Sequence, residues 1–170
     1  MNAIVNASEH SLSRSLDTIR LGAIAGAAGG LAEIAWVSLY AATTGANPAV
    51  IARGVTTAAG ASSLFPAEAV TLGVGVHMAI AVALGIALAF VWRAMPTARA
   101  NPLSFAIIAL AGVWAINFFV VLPIVSPAFI SLLPYSVSLI SKLFFGLAAG
   151  GALRLLAAPS LTMQRARAGL

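Results

Sequence analysis

The chain contains no cysteine, which removes disulfides, thiolate metal sites, iron-sulfur clusters, thiol-attached haem and cysteine nucleophiles from consideration. Charge is nearly as scarce. Charged residues make up only 8% of the sequence, and Asp and Glu together number 4, too few for the clustered carboxylates of a two-metal site. No phosphate-cradling glycine loop, zinc-protease helix motif or glycine-flanked serine nucleophile appears. Catalysis is therefore not expected, and no cofactor is implied.

What the sequence has in abundance is apolar side chains, 61% of its 170 residues, with a mean hydropathy of +1.04. A soluble domain of this size does not tolerate that composition. Residues 21–43, 70–92, 103–122 and 137–157 form stretches of roughly 20 residues, enough at about 1.5 Å per residue to cross a hydrocarbon core of about 30 Å. The expected fold is all-α, an integral membrane four-helix bundle over residues 21–157. The first stretch is read as a retained span rather than a secretory signal, because it is longer than an h-region and contains Glu33.

The net charge of +5 does not indicate nucleic acid, because the basic residues are distributed by membrane side instead of clustering as a patch. With the N-terminus in the cytoplasm, Arg14, Arg20, Arg93, Arg99, Arg154, Arg165 and Arg167 all lie inside and Arg53 alone lies in an outer loop. The positive-inside rule then puts both termini in the cytoplasm of a bacterial inner membrane. The inner arginines suit anionic lipid headgroups or a regulatory basic patch.

Residues 1–20 read as a cytoplasmic amphipathic arm. Leu12, Leu16 and Ile19 recur at helical spacing among Arg14, Asp17 and Arg20, Asn6 with Glu9 fits a capping box, and the helix would lie on the inner membrane surface. Residues 158–170 read as a basic cytoplasmic tail. The first outer connection, residues 44–69, is too long to be structureless. Asn47 and Pro48 open a helix there, Val50, Ile51 and Val55 give it an apolar face, and Gly60 ends it. That helix would lie in the interface plane or cap the bundle. The short inner connection from Arg93 to Pro102 makes the second and third spans antiparallel neighbours. The second outer connection carries Pro123, Pro127 and Pro134 but no charge, which would leave Ile124, Phe129, Ile130 and Leu132 covered by lipid or protein.

Each span carries one strongly polar residue: Glu33, His77, Asn117 and Lys142. Counting from the inner boundary puts Glu33 about 18 Å along its helix, and counting from the outer one puts His77 and Lys142 about 8 to 12 Å deep. Asn117 falls at a similar level. Helical spacing also fixes their faces: Gly22, Gly26, Gly29 and Gly30 share a face with Glu33, Gly73 and Gly85 with His77, and Gly146 and Gly150 with Lys142. Small residues let helix backbones approach closely, so the polar groups are expected to converge. Asn117 shares a bulkier stripe with Leu110, Trp114 and Val121, and its inward orientation is less constrained.

A lone charge near midspan costs about 2.5 to 3.5 kcal/mol, so Glu33 and Lys142 should pair or be neutralised. Two readings of this polar layer stand. In one, a Glu33–Lys142 ion pair with hydrogen bonds from His77 and Asn117 fixes the packing. In the other, the same groups line a cavity that binds a small polar solute or relays protons, since imidazole changes charge near neutral pH. A metal site is disfavoured, because Glu33 and His77 supply only two ligands and Lys142 adds a cation. Trp36, Tyr40 and Trp92 near the span ends read as interfacial anchors. Tyr40 is also within reach of the layer, and Trp114 with Phe118 and Phe119 would face lipid, a partner or a quinone-like pocket.

The segments Gly75-Val-His77-Met78, Gly112-Val-Trp114-Ala-Ile-Asn117 followed by Leu122-Pro123, and Lys142-Leu-Phe-Phe-Gly146 resemble a group of uncharacterised small bacterial four-helix inner-membrane proteins. The resemblance covers residues 20–157 in architecture. It implies a His-containing second span, a Trp-containing third span ending in Pro, and a second His-then-Gly element in the last span. Lys142 stands where that second His would be, which weakens a twin-histidine metal or haem reading and favours a salt bridge. Some relatives carry transporter-like labels. The leading expectation is a non-catalytic accessory or stabilising subunit that associates with other membrane proteins or with itself; the alternative is a small transporter or channel for protons or a polar solute.

Overall fold

The computed structural model describes residues 2–62 and 66–157, and every regular element among them is helical. Helix α1 (Asn2–Thr44) runs 43 residues without a break, about 65 Å at the helical rise. The expected N-terminal amphipathic helix is thus continuous with the first span and not a separate element. No proline interrupts the chain before Pro48, so nothing forces a turn near Leu21, and Asn6 lies inside the helix instead of at its start. The helix stops at Gly45, whose φ of +73° is a left-handed conformation that costs a glycine little and ends helices well.

Helix α2 (Pro48–Ala58) forms as the sequence indicates. The Asn47 side chain accepts from the Ala49 N–H at 2.9 Å, and Pro48 takes the first turn. Helix α2 packs on the following long helix: the buried Thr56 hydroxyl donates to the carbonyl of Ala69. After a 3-10 turn (Pro66–Glu68), helix α3 (Ala69–Ala94) leads to the short α4 (Pro96–Ala100). Helix α5 (Pro102–Ile116) follows, its first turn capped by the Asn101 side chain accepting from the Ser104 N–H at 3.3 Å.

The third span does not continue as a regular helix. It widens into a π-helical segment, Asn117–Val121, before α6 (Leu122–Val125). Pro123 explains the widening, since its ring would clash with the carbonyl four residues back. The Leu122 N–H instead reaches the carbonyl of Asn117, five residues back, as in a π-bulge. Short α7 (Pro127–Ile130) then leads to α8 (Tyr135–Ala157). Phe129 and Leu132 pack toward Gly54 of α2, whereas Ile124 stays 79% exposed, so the uncharged connection between the third and fourth spans is covered by the protein itself only in part.

Four of these helical stretches are long and apolar enough to cross a membrane: Leu12–Thr44, Ala69–Ala94, Pro102–Val125 and Tyr135–Ala157. The chain is thus a multi-pass membrane protein by length and composition. Helices α1 and α8 pack against each other at the centre, α3 packs on α1, and α5 packs on α8. Contact between α3 and α5 is slight. The second and third spans are consecutive but not packed neighbours, contrary to the expectation from their short connection.

Glycine placement explains that order. A Cβ on Gly85 would fall 2.3 Å from the Cα of Gly26, and one on Gly26 would fall 2.3 Å from the carbonyl oxygen of Ala81, so α1 and α3 touch backbone to backbone. Gly22 lies against Ile86, 2.5 Å by the same measure, and Gly30 against Ala81 and Met78. On the other side Gly146 and Gly150 admit Ile107 and Leu103 of α5. Gly73 departs from the expected span-to-span role, because its bare face receives Ala52 and Thr56 of α2. Close approach maximises dispersion contacts where lipid offers no hydrophobic contrast.

Candidate functional site

Helix α1 presents Glu33 to α8, and the carboxylate is buried, with its side chain 4% exposed. The Lys142 Nζ lies 2.7 Å from Oε1 and 2.9 Å from Oε2. The Ser141 hydroxyl donates to Oε1 at 2.9 Å. Both oxygens are thereby engaged, which offsets the cost of burying the charge. Lys142 is also placed 5.4 Å from the centroid of the Phe145 ring, an arrangement that favours a cation over a π face. Phe145 is fully buried and fits because Gly29 has no side chain: a Cβ there would fall 2.5 Å from the ring.

His77 approaches from α3. Its Nε2 is 3.8 Å from Glu33 Oε2 and 3.4 Å from the Gly30 carbonyl oxygen, to which it donates when Nε2 carries the proton. With a side chain 26% exposed, it is the most exposed of the three groups. Glu33, His77 and Lys142 therefore come together, each from a different helix.

Asn117 does not join them. It sits at the start of the π segment on the far side of α8, and makes no hydrogen bond to Glu33, His77 or Lys142. Its helix packs on α8, while Glu33 belongs to α1, two positions away in the row. Tyr40 likewise makes no bond into the layer. Trp114 reaches α8 but one turn away, donating its indole N–H to the Ser138 hydroxyl at 2.9 Å. It stacks on Phe118 at 5.5 Å and meets Phe119 edge-on at 5.6 Å. Phe118 is buried and Phe119 is 61% exposed, so this aromatic cluster is part packing and part apolar surface.

Two tryptophans read as interfacial anchors have other work. Trp36 donates to the Val137 carbonyl at 3.0 Å and packs on Phe144, tying α1 to α8 just outside the ion pair. Trp92 is only 7% exposed and belongs to the core with Leu21, Leu88 and Ala98. Ser141 was not singled out by sequence reasoning, although it precedes Lys142 directly and is buried beside it. A small hydroxyl residue adjoining an intramembrane charge was the available signal.

The groups that meet here are one carboxylate, one ammonium, one imidazole and one hydroxyl. No cluster of three or more His, Cys, Asp or Glu that could hold a metal occurs among the described residues. Neither of the two described cavities is lined by Glu33, His77 or Lys142. Chemically the arrangement can hold charge and restrain three helices, and its imidazole lies close enough to the carboxylate to exchange a proton after a small movement. Comparison with protein-family models, with curated proteins and with solved structures finds no match for this chain.

Proposed function

We propose that the protein is a non-catalytic integral membrane subunit, with the Glu33–Lys142 pair as its internal lock and an exposed small-residue face on α3 as its contact with other chains. Gly75, Ala79, Ala83 and Ala87 recur every fourth residue on α3, all of them exposed, and a Cβ on Gly75 meets nothing within 4 Å. That spacing is the one that promotes close helix approach. It is the observation that carries the subunit reading, since the buried face of α3, with Gly85 and Ala81, is already used by α1. The membrane is taken to be a bacterial inner membrane with both termini cytoplasmic, on the arginine distribution. The resemblance to small four-helix inner-membrane proteins is compatible with such a role.

The absence of native cysteine makes the test direct. Single cysteines introduced as Ala79→Cys and Ala83→Cys should cross-link in native membranes, to a second copy or to a larger partner. Ile108→Cys on the exposed side of α5 should not. Equal cross-linking at all three positions, or none at any, would remove the α3 face from the account.

A second reading, a small proton or solute transporter, is favoured by His77, whose partly buried ring lies 3.8 Å from Glu33. Proteoliposomes loaded with a pH-sensitive dye separate the two. The subunit reading predicts the same proton leak for wild type and His77→Ala. A leak that disappears in His77→Ala would establish the relay instead.

A further inference from the structure

At the end of the helices opposite the outer connections, a cavity of about 840 Å³ opens between α1, α3, α4 and the end of α8. Arg14, Arg20, Arg93 and Arg99 line it, with Asp17 as the one carboxylate among its described lining residues. None of these arginines forms an ion pair with a carboxylate among the described residues. The wall between them is apolar, formed by Leu21, Ile24 and Leu156.

The site is partly built in advance. Arg93 donates through Nη1 to the Arg14 carbonyl at 3.0 Å and to the Thr18 hydroxyl at 2.7 Å, and Thr18 is itself buried at 3% exposure. These bonds fix the guanidinium while using only part of its five-donor fork. Trp92 also lines the cavity. It is 93% buried, and its indole N–H has no acceptor among the described residues.

We infer that this cavity binds the phosphate group of an anionic amphiphile. Guanidiniums pair with phosphate oxygens through parallel N–H bonds, and the Leu21, Ile24 and Leu156 wall receives the start of an acyl chain. Basic recesses between membrane helices favour such headgroups. The inference is independent of the α3 contact face and of the ion pair, and it fails or stands separately from both.

The test uses the full chain in detergent with phosphatidylglycerol and phosphatidylcholine at equal concentration, read by native mass spectrometry as lipid retained per protein. Wild type should retain phosphatidylglycerol at least ~10-fold over phosphatidylcholine, as several charge-assisted bonds imply. The double variant Arg20→Ala, Arg99→Ala should lose that preference. A parallel arm adds millimolar inorganic phosphate. Persistence of the phosphatidylglycerol adduct marks the lipid as the ligand, and its displacement marks free phosphate as sufficient; both support a phosphate site. Equal retention of the two lipids by wild type, or a preference unchanged in the arginine variant, overturns it.

Discussion

Replacing Lys142 with methionine is expected to cost about 3 to 5 kcal/mol of stability, the usual penalty for stranding one member of a buried ion pair. The Glu33 carboxylate has almost no access to solvent. Without the ammonium it retains the Ser141 hydroxyl and a weak approach from His77, too little to hold a charge in a low-dielectric interior. Glu33→Gln should cost less, for two reasons. Glutamine preserves an acceptor for Ser141, and the freed Lys142, whose side chain is already 21% exposed, can extend toward the interface. The asymmetry itself is diagnostic, and reversible unfolding in mixed micelles would measure both variants on one scale.

The second large effect is steric. Gly85→Ala should destabilise by about 2 to 3 kcal/mol, the upper part of the usual range for overpacking. The added Cβ would lie 2.3 Å from both the N and Cα of Gly26 and 2.4 Å from the carbonyl oxygen of Gly22. All three are backbone atoms, so no rotamer change relieves the clash and α1 must move away from α3. Gly75→Ala is the internal comparison on the same helix. Nothing lies within 4 Å of its added Cβ, and the better helix propensity of alanine should leave stability unchanged or raise it by up to about 1 kcal/mol. Similar losses at the two positions would mean that α1 and α3 are not in backbone contact.

The sequence made the spans legible because length and hydropathy are nearly sufficient in a bilayer. It also exposed the α2 start, where Asn47 and Pro48 act locally, and the glycine faces, where spacing alone selects a side. It did not show which glycine face meets which helix. Gly73 and Gly85 lie on one stripe of α3, yet one receives α2 and the other α1, a choice made by tertiary packing. The row order was hidden for the same reason. A short link suggested that α3 and α5 pair, whereas their best small-residue faces are satisfied by α1 and α8.

Depth counting brought four polar residues to one level, but level is not proximity. Asn117, counted to the same level, begins the π segment that continues α5, the helix that never meets α1 closely, so it stays outside the group formed by Glu33, His77 and Lys142. The π segment that begins at Asn117 has a readable cause in Pro123, although proline marks a helix end as readily as a bulge. Continuity of α1 through Leu21 was obscured by composition: an amphipathic stretch followed by an apolar one reads as two helices unless a breaker between them is sought.

The central claim is that Glu33 and Lys142 act on stability through each other. A double-mutant cycle with Glu33→Gln, Lys142→Met and their combination, unfolded reversibly in mixed micelles, tests it most directly. The account predicts that the double variant recovers much of what Lys142→Met loses, with a coupling energy of about 1 to 3 kcal/mol. Effects that add to within about 0.5 kcal/mol, or single variants as stable as wild type, would contradict it.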